Sequence, residues 1–237
     1  MGDIDPPADI SCAYKQYCRG VRHVTLKTLR ELRSISSYIE IDGHTKEYEY
    51  FTYYNYKGDK VIFEKTKLKG AYIIKLEKLK DERGFFARSF CKREFEQHGL
   101  NTNVVQYNLS FSKKKGTLRG MHYQIKPHQE TKLINCVRGA IYDVIIDLRP
   151  NSTTYKKWLS LELSVDDYKM IYVPEGFAHG FQTLEDNTAV YYLVSEFYTP
   201  EYERGVRWND PMFNITWPDA VPTVISEKDK SYEDFGK

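Results

Sequence analysis

The sequence predicts an all-β domain, a sandwich or barrel of short strands with few and short helices, preceded by a distinct N-terminal segment. Three observations carry this. From about Gly70 onward, runs rich in β-branched and aromatic residues recur at short intervals, separated by turns such as Lys115-Gly116 and Arg149-Pro150-Asn151. Two histidine-bearing blocks, TLRGMHYQ at Thr117–Gln124 and VPEGFAHGF at Val173–Phe181, each set one histidine beside glycine and aromatics. Between them lies the apolar run GAIYDVIIDL, Gly139–Leu148, whose length allows only a buried strand or a very short helix.

Taken in order, residues 1–65 form an N-terminal extension and residues 66–237 the main domain. In the extension, Leu26, Leu29, Leu32, Ile35 and Ile39 recur at three- and four-residue spacing, which predicts an amphipathic helix. The tyrosine-rich stretch Glu47–Lys65 follows, and Lys57-Gly58-Asp59 in its middle predicts a hairpin. No acid–base cluster occurs here, so packing against the main domain or another subunit is the expected role. In the main domain the strand candidates are Ala71–Leu79, Asn103–Ser112, Thr117–Gln124, Leu133–Arg138, Ala140–Leu148, Trp158–Leu163, Lys169–Val173, Gly180–Leu184 and Ala189–Ser195. One helix, Lys92–His98, interrupts them. The C-terminal part, with Trp208, Pro211, Trp217, Pro218 and Pro222, is irregular and is expected to wrap the strands.

Composition removes several classes of function. The 237 residues hold one large domain, or one domain and a small appendage. With Lys+Arg 35 against Asp+Glu 33 there is no concentrated cationic face, so nucleic acid is not an expected partner. No apolar run approaches the ~18 residues of a membrane span. The opening MGDIDPPADI is acidic and proline-bearing, unlike a signal peptide, and a cytoplasmic location is expected. Cys12, Cys18, Cys91 and Cys136 lack both C-x-x-C spacing and scaffold density, so they are expected as reduced thiols.

Two imidazoles delivered by neighbouring strands point to proton chemistry or to a metal. A histidine metal site on a barrel calls for a His-x-His pair, a nearby glutamate and a later histidine, and Gln124 interrupts that pair. His122, His128 and His179 can still be drawn as a three-histidine set, but His128 falls in the polar loop Lys126–Gln129. The expectation is therefore a metal-independent site with no cofactor. Arg119 and Lys132, near His122 in sequence, suit an anion. A lone histidine in a strand can equally be a core residue donating to a carbonyl. Two features favour chemistry: Gly176 and Gly180 flank His179 and permit close approach, and Tyr191, Tyr192 and Tyr198 follow, one of which can supply a phenolic proton.

Residues from about 70 to 230 resemble the dTDP-4-dehydrorhamnose 3,5-epimerase family, members of the cupin jelly-roll (double-stranded β-helix) class. The resemblance rests on DERGFFARSF (Asp81–Phe90), VVQYNLSFSKKKGTLRGMHYQ (Val104–Gln124), TKLINCVRGAIYDVIIDLRPNS (Thr131–Ser152), VPEGFAHGF, YYLVSEFYTPEYERGVRWNDP (Tyr191–Pro211) and ISEKD (Ile225–Asp229), in family order and spacing. It implies epimerisation beside the C4 ketone of a nucleotide-linked 4-keto-6-deoxyhexose, without a metal. By position, His122 is implied as general base, Asp229 as the carboxylate that orients it, Tyr192 as general acid on the opposite face of the sugar, and Lys132 as the cation facing the enolate oxygen. Arg83, Phe85, Gln106, Asn108, Arg119, His179, Glu203 and Lys228 match substrate-contact positions, and Tyr198 matches the aromatic that stacks on the base. The Arg83 block implies a homodimer with shared sites, since in the family it reaches into the partner's site. Two positions depart from the pattern. Arg88 replaces a common acidic residue and is a candidate for a further phosphate or hydroxyl contact; Tyr107 replaces the middle of a Gln-Asp-Asn triplet.

The leading expectation is thus an epimerase acting at C3 and C5 to set up an L-rhamnose-type deoxysugar. The runner-up is a single-centre epimerase at C3 or C5, or one using a UDP-, GDP- or CDP-linked keto sugar. The competing class is a non-catalytic sugar-nucleotide-binding cupin, which would be expected to have lost the base, its carboxylate or the tyrosine acid.

Overall fold

The computed structural model describes residues 25–28, 36–41, 44–49 and 60–236. The chain divides into two compact units, residues 1–57 and 58–237. In the first, β1 (Thr25–Thr28), β2 (Ser36–Ile41) and β3 (His44–Glu49) form a three-stranded antiparallel sheet in that order. This corrects the expected amphipathic helix: the backbone at both ends of its leucine–isoleucine series is extended, with Leu26 opposite Ile39. The reason lies in local composition. TLKT has threonine at both ends, and SSYIEI alternates polar and apolar residues, both of which favour a strand. The expected hairpin about Lys57-Gly58-Asp59 lies outside the described residues, apart from β3 at its start, which pairs with β2, and the strand after the turn, which pairs with the one that follows it. The dipeptide between β2 and β3 is Asp42-Gly43, a stronger hairpin signal than the one chosen.

The second unit is the expected all-β architecture, two facing antiparallel sheets of a cupin jelly roll. β4 (Val61–Lys65), assigned by sequence to the extension, is the edge strand of the first sheet. β5 (Tyr72–Leu76) follows, then a small two-stranded ribbon of β6 (Leu79–Asp81) and β7 (Gly84–Phe86), and α1 (Lys92–Gln97). The remaining strands are β8 (Gln106–Ser112), β9 (Thr117–Gln124), β10 (Lys132–Arg138), β11 (Ala140–Asp147), β12 (Trp158–Ser164), β13 (Lys169–Val173), β14 (Phe177–Thr183), β15 (Thr188–Val194), β16 (Glu203–Gly205) and β17 (Val224–Ile225), with α2 (Glu227–Lys230) closing the chain. The first sheet runs β4-β5-β13-β10-β15-β8; the second runs β12-β11-β14-β9-β16, with β17 added in parallel to β9.

Three apolar layers hold this together. Between the sheets, Ile134 and Cys136 of β10 and Val190 of β15 meet Ile141, Ile145 and Phe181 of the opposite sheet. Behind the second sheet, Val144 and Ile146 pack on Val206, Phe213, Ile215 and Trp217 of the C-terminal wrap. Behind the first, Ile74, Leu133 and Met170 pack on Phe95 and Leu100, from α1 and the loop after it. The apolar run at 139–148 is therefore a strand, β11, apolar on both faces except at Asp143 and Asp147, because both of its faces are covered. β8 differs. Its inner residues Gln106, Asn108 and Ser110 are half-buried, whereas the outer Tyr107, Leu109 and Phe111 are exposed. No helix among the described residues is long and apolar enough to cross a membrane.

Candidate functional site

Residues of both sheets line two adjoining hollows of about 430 Å³ each. His122, Lys132 and Tyr192 line both. His122 comes from β9 in the second sheet, while Lys132 and Tyr192 come from β10 and β15 in the first. The register explains the shared wall. Lys132, Val194 and Gln106 form one cross-strand row, and Ile134, Tyr192 and Asn108 form the next, so these side chains leave the same face.

On the opposite wall, Arg119 and His122 are three residues apart, a spacing that a regular strand would send to opposite faces. An irregularity in the β9–β14 pairing resolves this. His122 faces His179 and Arg119 faces Phe181, so the three-residue step on β9 matches a two-residue step on β14. Glycines make the bulge fit. A Cβ on Gly120 would lie 2.6 Å from Gly180 Cα, and one on Gly180 would lie 2.8 Å from the Arg119 carbonyl oxygen. Gly180 thus serves backbone approach at the site's rear wall.

His122 Nε2 is 2.7 Å from Asp229 Oδ1. The aspartate reaches it because β17 is strapped along the start of β9 and the next residue, Ser226, caps α2, its hydroxyl accepting from the Asp229 N–H at 3.0 Å. Gly120 N–H donates to Asp229 Oδ2 at 3.2 Å. Burial alone would raise the Asp229 pKa, but the His122 contact, the Gly120 N–H and Ser226 outweigh it and hold the carboxyl below its ordinary range. An ionised carboxylate only accepts, so the shared proton sits on Nε2 and the imidazole lone pair is left on Nδ1.

Across the cleft, Lys132 Nζ pairs with Glu130 Oε1 at 2.9 Å, both nearly buried. Burial, and then the charge of Glu130, push the Tyr192 pKa up, with Arg119 pulling the other way, so the phenol keeps its proton at neutral pH. In the second hollow the Tyr198 hydroxyl donates to Glu203 at 2.6 Å, and Lys228 bonds the same carboxylate oxygen. Burial opposes the Glu203 charge, but Lys228, Tyr198 and His122 together keep its pKa low. Arg119 is held by Ser112 Oγ at 3.2 Å and the Phe111 carbonyl at 3.0 Å.

Of the residues expected from sequence, His122, Asp229, Tyr192, Lys132, Arg119, His179, Lys228, Gln106, Asn108, Tyr198 and Glu203 all line the cleft. Arg83 and Phe85 do not. They lie on the β6–β7 ribbon, where Arg83 is 84% exposed beside Asp81 and Phe85 packs edge-on against Tyr168. The two departures also fall outside it. Arg88 pairs with Glu94 of α1 at 3.2 Å, and Tyr107 points outward against Tyr191. Sequence reasoning missed Asp143, whose Oδ2 is 2.7 Å from His179 Nε2. The signal was a single acidic residue inside the apolar run of β11. It also missed Glu130. His128 sits apart, its ring tilted at 56° against Tyr202, and among the described residues no cluster of three or more histidine, cysteine or acidic side chains could hold a metal.

Comparison with known proteins gives a consistent result. The family model described as dTDP-4-dehydrorhamnose 3,5-epimerase matches residues 65–237. A dTDP-4-dehydrorhamnose 3,5-epimerase from Sinorhizobium fredii is 40% identical over 173 residues, covering 73% of this chain and 89% of that protein. The crystal structure of the Bacillus anthracis dTDP-4-dehydrorhamnose 3,5-epimerase, with TDP and PPi bound, is 41% identical with a TM-score of 0.71, covering 74% of this chain and 99% of that one. A 3'-monoepimerase from Streptomyces bikiniensis, solved with dTDP-quinovose, is 31% identical with a TM-score of 0.67, covering 72% and 86%.

Proposed function

Since the chain belongs to the dTDP-4-dehydrorhamnose 3,5-epimerase family, we propose that it inverts C3 and C5 of dTDP-4-dehydro-6-deoxyglucose, giving dTDP-4-dehydro-L-rhamnose. The observation that supports this best is the placement of base and acid on opposed sheets, with His122 on one wall of the cleft and Tyr192 on the other. Inversion needs that arrangement, because the proton must leave one face of the sugar and return to the other.

His122 takes the proton from the carbon beside the ketone through Nδ1, and Asp229 steadies the imidazolium that forms. The electron pair of the broken C–H bond moves onto the C4 oxygen, giving an enolate whose charge Lys132 meets. Tyr192 then donates its phenolic proton to the other face of the same carbon and the ketone reforms. The cycle closes when His122 gives its proton to solvent and Tyr192 regains one. Positioned acid–base groups of this kind contribute about 10²–10⁴-fold each. Arg119, His179, Lys228, Gln106, Asn108, Tyr198 and Glu203 are assigned to holding the substrate.

We assign Arg83 and Phe85 to the site of a second copy in a homodimer. Their absence from this chain's own cleft supports that assignment, as does the exposure of Phe86 beside them.

The test is deuterium wash-in. With the 4-keto-6-deoxy sugar nucleotide in D₂O, and with EDTA present, solvent deuterium is expected at both C3 and C5 of the product. Label at one carbon alone would make the protein a single-centre enzyme like its Streptomyces bikiniensis relative, and no label at all would leave only a binding protein.

A further inference from the structure

Directly opposite His122 in the β9–β16 pairing stands Gly205. No positive φ accounts for a glycine there, but space does: a Cβ on Gly205 would lie 2.2 Å from ring carbons of Tyr232. That ring arrives from the C-terminal tail just after α2 and meets the His122 imidazole edge-on, with centroids 6.1 Å apart and planes at 72°. The Tyr232 hydroxyl oxygen is buried and has no hydrogen-bond partner among the described residues. Burial, with a smaller push from the Glu203 charge, raises its pKa to about 12, so it stays a neutral phenol at neutral pH.

A hydrogen bond at Nε2 fixes one atom of an imidazole and leaves its plane free to tilt about that contact. Proton abstraction needs the Nδ1 lone pair aimed along the C–H bond. A contact on the ring itself is the missing constraint, and edge-to-face packing is a favoured way for two aromatic rings to meet.

We propose that Tyr232 is a positioning residue for the epimerisation: its ring, seated in the space that Gly205 leaves open, fixes the plane of the His122 imidazole while Asp229 fixes its tautomer. This rests on the reading of His122 as the base. The ring carries the role and the hydroxyl does not, because an unpaired buried hydroxyl contributes nothing to holding a neighbour.

The experiment is a double-mutant cycle on the full-length enzyme, read by steady-state turnover and deuterium wash-in. Tyr232→Ala is expected to lower kcat by about tenfold to a hundredfold, with KM changed less than about threefold, since a misaimed base loses transition-state contact and not substrate binding. Tyr232→Phe keeps the ring and is expected to restore kcat, melting no lower than wild type. Gly205→Ala places a methyl group where the ring sits and is expected to lower kcat with Tyr232 intact. The double variant Gly205→Ala/Tyr232→Ala should match Tyr232→Ala alone, because the clash no longer exists. Wild-type turnover in Tyr232→Ala, failure of Tyr232→Phe to restore it, or strictly multiplicative losses in the double variant would each overturn the proposal. Should Tyr232→Ala not fold, Gly205→Ala decides alone, and wild-type turnover there refutes it. His122→Ala, run alongside, separates the two readings. If it exchanges deuterium at the wild-type rate, the base assignment falls; if it is inert while Tyr232→Ala is unaffected, only the positioning role falls.

Discussion

The cleft holds two histidine–aspartate pairs, His122–Asp229 and His179–Asp143, each joined through Nε2 at 2.7 Å, with the histidines facing each other across β9 and β14. Their surroundings differ. The His122 side chain is 33% exposed and lines both hollows, and its aspartate is also met by the Gly120 N–H. The His179 side chain is 9% exposed, and Asp143 is fully buried with one oxygen unpaired among the described residues. Identical bond geometry therefore gives two different objects. One pair is open to the cleft, where solvent reaches the imidazole. The other is built into the wall, where its aspartate depends on a single side-chain partner.

The sharpest way to break this contrast is to remove each histidine in turn. His122→Ala is expected to lower turnover by about 10³-fold or more and to abolish deuterium wash-in at both carbons. It should change the melting temperature little, because Asp229 keeps the Gly120 N–H. His179→Ala is expected to do the reverse, raising KM but retaining wash-in at saturating substrate, while destabilising the fold by about 3 kcal/mol, since it strands a buried carboxylate. If His179→Ala costs more turnover than His122→Ala, the two roles are exchanged.

Tyr192→Phe sharpens the first half of the comparison. The enolate can still form on His122 and be reprotonated from the face it left, so deuterium should continue to enter recovered substrate while inverted product falls by about 10²-fold. Parallel loss of both signals would place Tyr192 in proton removal as well.

A third buried carboxylate, Asp147, shows what the wall looks like when fully satisfied. It lies four residues from Asp143 on β11, bonded by Arg149, Ser152 and Thr154. Burial opposes its charge, but those partners prevail and bring its pKa down to about 2. A carboxyl held below its unfolded value adds stability that is fully present above the ordinary carboxylate range and is lost as the pH falls through the folded pKa. The lowering is worth about 2 kcal/mol. Melting curves of wild type and Asp147→Asn should therefore differ most near neutrality and converge toward pH about 2, with turnover of the folded variant unchanged.

The smallest effect on chemistry is expected from deleting residues 1–57, which supply no residue to either pair. We expect weaker self-association by sedimentation and unchanged wash-in. Extending the deletion through residue 65 also removes β4, with buried Val61 and its bond to Glu94, and should lower the melting temperature. Loss of turnover in a folded protein lacking only residues 1–57 would show that the extension serves catalysis.

How legible these features were in the sequence depended on range. β9 and β13 match their expected limits residue for residue, because β-branched and aromatic runs bounded by turn residues are local signals. The leucine–isoleucine series at 26–39 misled, since helical spacing over a few residues is weak against the strand preference of short alternating segments. The roles expected of His122, Tyr192, Lys132 and Asp229 came from motif resemblance, and the structure brings these four side chains to one cleft. What the residues alone could not show was long-range. The bulge that turns Arg119 to the same side as His122 is a property of pairing, not of spacing. Asp143 is one polar letter in an apolar run, and Gly205 makes sense only once Tyr232, far along the chain, is seen in the space it leaves.

β8 carries a consequence for how such a chain can diverge. Its seven residues alternate between polar side chains on the inner face, the amides Gln106 and Asn108 and the hydroxyls Ser110 and Ser112, and apolar or aromatic side chains on an exposed outer face. Point substitutions can alter either face and leave the other intact. A change of length cannot: one residue gained or lost within the strand would turn Tyr107, Leu109 and Phe111 into the sugar's path and send the amides outward. Descent with altered specificity is therefore channelled into substitutions along β8, while insertions and deletions are confined to the loops at its ends.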